Sequence, residues 1–186
     1  LSLSLSYTAP RIITAAVYKH LNERMKLLWS GDLRINTVHV RDVCKATVHL
    51  ARTGAVGSIW NLADKTDLSQ ERLNAFLEGI FKIKTGFWGS IVSNVAKVNL
   101  KGTTEEVNEK HLKPWADICK ADGILNTPLT PYIDTELLMN HALSIDGNAI
   151  EATGFAYDVP EMTEALLREQ IAYFVSQQLF PATVVP

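Results

Sequence analysis

The sequence predicts an α/β fold, because strand-like and helical patterns alternate along its first half. The run from Leu33 to Val43 contains β-branched residues that suit a strand, and apolar residues at helical spacing follow it. A second strand-like run over residues 58–64 precedes a second helical pattern. Strand, helix, strand and helix in this order are typical of α/β proteins.

The beginning of the chain has two interpretations. Residues 1–6 alternate Leu and Ser, which fits a half-buried strand or an extended arm, whereas low complexity at a terminus fits a disordered tail equally well. Pro10 can occupy the first turn of a helix, which we expect to end between Met25 and Leu28. Further on, Asp42 is expected to cap a helix that Gly54 ends.

The second half is predicted to be mostly helical. Asp67 or Ser69 opens a helix, and a short strand over residues 83–87 follows it. A helix over 90–100 comes next, and then a polar helix from Thr103 that Pro114 is expected to interrupt, because proline cannot donate a backbone hydrogen bond. A short helix over 134–142 and a last amphipathic helix capped by Thr163 complete the prediction.

Composition excludes several classes of function. With 47% hydrophobic residues the chain can form a core, and with a net charge of -2 it offers no electrostatic reason to bind nucleic acid or an anionic membrane. Its apolar runs are too short to span a membrane, so no transmembrane segment is expected. Cys44 and Cys119 are far apart in sequence, which argues against a metal site or a disulfide framework and suits a reducing compartment.

Two motifs indicate a family. The run N-x-V-H-V-x-D-V at residues 36–43, followed by a helix and then W-N-L-A-D at 60–64, resembles the C-terminal half of an extended short-chain dehydrogenase/reductase of the NAD-dependent epimerase/dehydratase superfamily. The resemblance extends from Pro10 to Pro181. It implies the C-terminal remainder of a Rossmann-type doubly wound sheet over residues 1–64, and a mostly helical substrate-binding lobe over 65–186.

The family's cofactor and catalytic motifs are missing from the sequence. The family holds the pyrophosphate of NAD or NADP on a glycine-rich turn and transfers a proton through a YxxxK pair. No such glycine pattern is present, and none of the five tyrosines has lysine at the fourth following position. The resemblance therefore implies that NAD or NADP belongs to a complete parent protein, and that this chain alone binds neither and has no catalytic residue.

Five residues are candidates for substrate binding: Arg34, Asn36, His39, His111 and Trp115. The resemblance implies that His39 lies near a substrate cleft and that an arginine close to Arg34 holds a substrate phosphate, although Arg34 is one position away from the matching place. The alternatives are a half-buried strand histidine and an exposed arginine at a strand end. His111 and Trp115 could line a pocket, or could pack against a helix kinked at Pro114.

Three functions are consistent with these observations. The chain could be the substrate-binding portion of an NAD(P)-dependent epimerase, dehydratase or reductase that acts on a small molecule, with a missing N-terminal half or a partner subunit supplying the rest. It could instead be a non-catalytic accessory subunit of a larger assembly, such as a mitochondrial respiratory complex. The third possibility is a stand-alone helical binding module. A cytoplasmic location is expected for the first function and a mitochondrial one for the second.

Overall fold

The computed structural model describes residues 8–89, 98–135 and 142–185. These residues form the helices α1 (Thr8–Leu21), α2 (Val40–Thr53), α3 (Gln70–Phe81), α4 (Leu100–Ala121) and α5 (Glu164–Ser176), and the strands β1 (Met25–Leu27) and β2 (Thr85–Phe87). Two 3₁₀ helices cover Asn148–Thr153 and Ala182–Val184. Among the helices of these residues, none has both the length and the apolar character that crossing a membrane requires.

The main core lies between α1, α3, α4 and α5. Helix α1 contacts both α3 and α4, and α3 also contacts α5. The six consecutive residues of α1 from Ile12 to Val17 are almost completely buried on all sides of the helix. The Phe180 ring packs against the rings of Phe81 and Trp115. Fully burying a Val, Leu, Ile, Phe or Met side chain contributes roughly 1.5–3 kcal/mol to the free energy of unfolding. Because the main core contains many such side chains, the packing of these four helices dominates the stability of the fold.

A second, smaller core lies under α2. It consists of Ala46 of α2 together with Ile150, Phe155 and Tyr157. The rings of Phe155 and Tyr157 meet edge to face with their centroids 5.1 Å apart, and the Tyr157 hydroxyl donates to the Gly147 carbonyl at 2.9 Å. The chain from 147 to 157 is thereby fixed against α2.

The strands β1 and β2 form a parallel pair, in which Met25 is opposite Thr85 and Leu27 is opposite Phe87. The connection between them passes through α2 and α3, which agrees with the rule that parallel strands need a long crossover. The predicted C-terminal remainder of a Rossmann-type doubly wound sheet is wrong: the described part of the chain is mostly helical, and this two-stranded sheet is the one that it contains.

The two runs that predicted the larger sheet are not strands. Residues 37–39 lead directly into α2, and residues 58–64 have no regular secondary structure. One backbone hydrogen bond joins the two runs, from the Asp64 N–H to the Thr37 carbonyl at 2.8 Å. Among the described residues it is not part of a ladder of strand-to-strand hydrogen bonds. Within the first run, Arg34 and Ile35 form isolated bridges with Ser69 and Leu143, and among the described residues these bridges do not extend into a ladder. β-branched residues form a strand only where a neighbouring strand accepts a series of their backbone hydrogen bonds.

Several local predictions are confirmed. Ser69 caps α3 and Thr163 caps α5, each through its hydroxyl, and Gly54 ends α2. The predicted strand near residue 85 is β2. The prediction for residues 1–6, residues 90–97 of the helix expected over 90–100, and most of the helix expected over 134–142 lie outside the described residues.

Three local predictions are wrong. Helix α4 continues through Pro114, because its buried side chains, including His111, Trp115 and Ile118, anchor both sides of the proline in the main core. Helix α1 ends at Leu21, and residues 25–27 form β1 instead of extending the helix. Asp42 does not cap α2, since His39 occupies that position.

Candidate functional site

A cavity of about 260 Å³ opens between the start of α1, the segment 37–41 and α5. Most of its exposed surface is apolar, with contributions from Val38, Val159, Leu166 and Phe174. Nine of its fifteen lining residues nevertheless carry polar or charged side chains, among them His39. Small-molecule sites are concave and combine apolar surface with polar groups that fix the orientation of the ligand.

Asp64 fixes the segment that forms one wall. The Thr37 hydroxyl donates to Asp64 Oδ2 at 2.5 Å, and the Asp64 N–H donates to the Thr37 carbonyl at 2.8 Å. The other carboxylate oxygen of Asp64 accepts the N–H of Thr66 at 2.9 Å. Asp64 is 8% exposed, so these hydrogen bonds supply the compensation that a buried carboxylate requires.

His39 joins this wall to the first turn of α2. Its Nδ1 accepts the backbone N–H of Arg41 at 3.2 Å, which is the capping bond of the helix. A ring nitrogen that accepts a hydrogen bond carries no proton, so the neutral ring has its proton on Nε2. His39 is half-buried and lines the cavity, so its Nε2–H is the side-chain donor that this residue can offer to a ligand.

Asp42 holds the opposite wall in place. Its side chain is completely buried, and its two oxygens accept the backbone N–H groups of Asp158 at 2.8 Å and of Val159 at 3.0 Å. Lys45, one turn further along α2, adds an ion pair with Asp158 at 2.5 Å. The sequence marks Asp42 as polar and near a helix start, but nothing in it identifies residues 158 and 159 as its partners.

An ion pair and α5 form the rim. Arg41 Nη2 is 2.7 Å from Glu169 Oε1, and both side chains are more than half exposed. Gln170 and Tyr173 follow on the same helix. The pattern of α5 predicts its buried face, whereas Glu169, Gln170 and Tyr173 lie outside that face, and sequence reasoning therefore missed them.

Arg34 and Asn36 are occupied elsewhere and are not part of the cavity wall described above. Arg34 Nη1 donates to the Asp67 carbonyl at 2.7 Å and is 3.3 Å from the Asp67 carboxylate. The Asn36 side-chain oxygen accepts the backbone N–H of Ile145, and the Asn36 N–H donates to the Leu143 carbonyl at 3.0 Å. Both residues thus join loops of the protein to each other.

His111 and Trp115 lie in the main core. Trp115 Nε1 donates to the Leu129 carbonyl at 3.0 Å. His111 is 2% exposed, its Nε2 is 3.4 Å from the Tyr18 hydroxyl, and its Nδ1 has no hydrogen-bond partner among the described residues. Burial, with a smaller effect from the charge of Lys110, lowers the pKa of His111 to about 4. The structure therefore brings neither residue together with His39.

Metal chemistry has no support in the same ranges: residues 8–89, 98–135 and 142–185 contain no group of three or more histidine, cysteine or carboxylate side chains placed to bind a metal ion. The chain matches no family model, no curated protein and no solved structure.

Proposed function

We propose that the chain is the substrate-binding portion of an NAD(P)-dependent protein of the epimerase, dehydratase or reductase kind, and that it is not catalytic alone. One observation carries this proposal. Five consecutive residues from Thr37 to Arg41 line the cavity, and they belong to the motif on which the resemblance to the extended short-chain dehydrogenases rests. The motif thus supplies five of the fifteen residues that line the cavity, which supports the proposal.

The chain's own residues would bind and orient the substrate. The Nε2–H of His39 can donate to an oxygen of a ligand, and the apolar side chains around it exclude water from that contact. Since the sequence has neither a glycine-rich turn nor a YxxxK pair, NAD(P) and the proton-transferring groups would come from a missing N-terminal half or from a partner subunit.

Nuclear magnetic resonance of the labelled chain tests this proposal. The backbone amide signals of residues 37–41 are followed during titration with carbonyl and hydroxyl compounds, both charged and uncharged. At least one compound should shift them saturably, and Leu166→Trp, which fills the cavity, should abolish the shifts. Leu125→Trp is the matched control, because Leu125 is 95% exposed. If no compound gives shifts that depend on Leu166, the proposal is wrong.

A cofactor titration tests the second half of the proposal. NADH or NADPH is added while the tryptophan fluorescence of the chain is recorded. We expect negligible binding, because no residue set for the pyrophosphate is present in the sequence. Saturable binding in the micromolar range would contradict the proposal that another segment or subunit binds NAD(P).

A non-catalytic accessory subunit is the second candidate, and exposed apolar side chains favour it. Val48 on α2 is 55% exposed, and Val56 and Ile59 in the following segment are 106% and 93% exposed. Where exposed apolar side chains form a contiguous patch, that patch is typical of a surface that contacts a partner. The double substitution Val56→Asp with Ile59→Asp should reduce self-association measured by light scattering, whereas the control Leu125→Asp should not. If the two variants reduce it equally, the exposed side chains of Val56 and Ile59 no longer support the accessory-subunit function.

A further inference from the structure

The charges around the cavity indicate which class of substrate it takes. Three carboxylates line it, those of Asp64, Glu161 and Glu169, against one guanidinium, that of Arg41. These four groups give the lining a formal charge of -2. The single guanidinium is already paired with Glu169 at 2.7 Å. Among the described lining residues, no lysine or arginine is left to neutralise an anion.

The helix end at the cavity is also unsuited to an anion. Helix N-termini bind phosphate through free backbone N–H groups. At the start of α2, however, the Arg41 N–H is taken by His39 Nδ1, and the Asp42 carboxylate lies within the first turn. A phosphate group placed here would lie near the carboxylates of the lining, and the negative charge of Asp42 in the helix turn adds to their repulsion.

Arg34, which lies one position from the place where the resemblance puts a phosphate-binding arginine, does not change this balance. It contacts the carbonyl and the carboxylate of Asp67. The available polar contacts at the cavity are instead suited to a neutral group. They are the Nε2–H of His39, the Gln170 amide, whose oxygen accepts from the Thr8 hydroxyl at 3.4 Å, and the Tyr173 hydroxyl.

We infer that the cavity binds an uncharged, largely apolar small molecule with a carbonyl or hydroxyl oxygen, and not a phosphate-bearing sugar nucleotide. The inference rests on the proposed function and assigns its substrate class. The aliphatic and aromatic wall contacts the body of the ligand, and the Nε2–H of His39 donates to its oxygen.

Two probes test the inference by calorimetry and by the amide shifts of residues 37–41. The neutral ketone 4-phenylbutan-2-one should bind saturably, at least tenfold more tightly than UDP-glucose. Leu166→Trp should weaken ketone binding at least tenfold, and Leu125→Trp should leave it unchanged. Because filling a cavity can disturb folding, the melting temperature of both variants is measured in parallel.

A charge-reversal pair gives a second, independent readout. Glu161→Lys with Glu169→Lys changes the formal charge of the lining from -2 to +2, so it should strengthen UDP-glucose binding at least tenfold and change ketone binding less than twofold. The matched control is Glu105→Lys with Glu106→Lys, at two exposed positions on α4, which changes the net charge of the chain equally. The control should leave the binding of both probes unchanged.

The outcomes separate the inference from the proposed function. Suppose that UDP-glucose binds the unsubstituted chain more tightly than the ketone does, and that Leu166→Trp abolishes its binding. This result would overturn the substrate class and leave the proposed function standing. An equal gain in UDP-glucose binding from both charge reversals would also overturn it, because the lining would then not be the cause. If neither probe nor any compound of the wider panel binds in a way that depends on Leu166, the proposed function fails together with the inference.

Discussion

The Asp42 carboxylate on the first turn of α2 accepts the backbone N–H of Val159 at 3.0 Å, across 117 positions of sequence. The same carboxylate accepts the N–H of Asp158 at 2.8 Å. Asp42→Ala would leave two backbone donors without their charged acceptor, so we expect the free energy of unfolding to fall by about 3 kcal/mol. Urea unfolding measures this change.

The control for that substitution is Asp32→Ala at an exposed position. It should change the free energy of unfolding by less than about 0.5 kcal/mol. Because Val159 also forms part of the cavity wall, Asp42→Ala should in addition weaken the binding of the neutral ketone. Equal stability of the two variants would show that the buried carboxylate does not hold the wall.

Gly147 lies against the backbone of Ala63, and this contact leaves no room for a side chain. A Cβ at position 147 would lie 2.5 Å from the Ala63 nitrogen and 2.7 Å from its oxygen. Gly147→Ala should therefore lower the free energy of unfolding by about 1–3 kcal/mol, since backbone must move to relieve the overlap. The thermal melt of Gly86→Ala provides the comparison, because there the nearest atom is a side-chain carbon at 3.7 Å. A melt of Gly147→Ala no lower than that of Gly86→Ala would contradict the prediction.

His111 should make the stability of the chain depend on pH. Burial lowers its pKa in the folded state from 6.5 to about 4, so below pH 6.5 the unfolded chain binds a proton that the folded chain does not. The contribution is fully present above pH 6.5 and is lost as the pH falls towards 4, by at most about 3 kcal/mol.

The substitution His111→Phe should remove this dependence, because phenylalanine fills a similar volume and does not titrate. Urea unfolding at a series of pH values between 7 and 4 compares it with the unchanged chain, and the two curves should diverge below pH 6.5. His20→Asn, at an exposed position, should follow the unchanged chain. Parallel curves for His111→Phe and the unchanged chain would rule out this assignment.

The two cysteines should differ in reactivity. Cys44 is exposed, whereas Cys119 is 5% exposed, and burial together with the charge of Asp122 raises the pKa of its thiol to about 11. Iodoacetamide at pH 8 reacts with the thiolate, so the folded chain should acquire one adduct, at Cys44, by mass spectrometry. Cys44→Ser should acquire none until urea is added. Rapid labelling of Cys119 in the folded chain would show that the core around α4 opens easily.

Local sequence signals predicted the helices α3 and α5 correctly. Capping by Ser69 and by Thr163 depends on residues within one turn, and the spacing of apolar residues then identifies the buried face. At Pro114 the local signal failed. The loss of one backbone hydrogen bond is outweighed by the burial of side chains such as Trp115 on the same helix, and that burial depends on residues distant in sequence.

The strands expected within residues 33–43 and over 58–64 were mispredicted for a related reason, because β-propensity does not specify whether a neighbouring strand exists. The site was predicted in part. Of the five candidates, His39 lines the cavity, while Arg34 and Asn36 join loops and His111 and Trp115 lie in the main core. Asp42 and Glu169 act on residues more than 100 positions away, and no spacing rule connects such pairs.

The cavity draws its walls from Thr8, from residues 37–41 and from residues 159–174, so it exists only after distant parts of the polypeptide have met. Contacts of such large sequence separation form late and slowly during folding. A compound that occupies the cavity binds the folded chain and not the unfolded chain, and it therefore multiplies the ratio of folded to unfolded molecules by one plus its concentration divided by its Kd. The supply of its ligand would in this way regulate how much of the protein survives proteolysis.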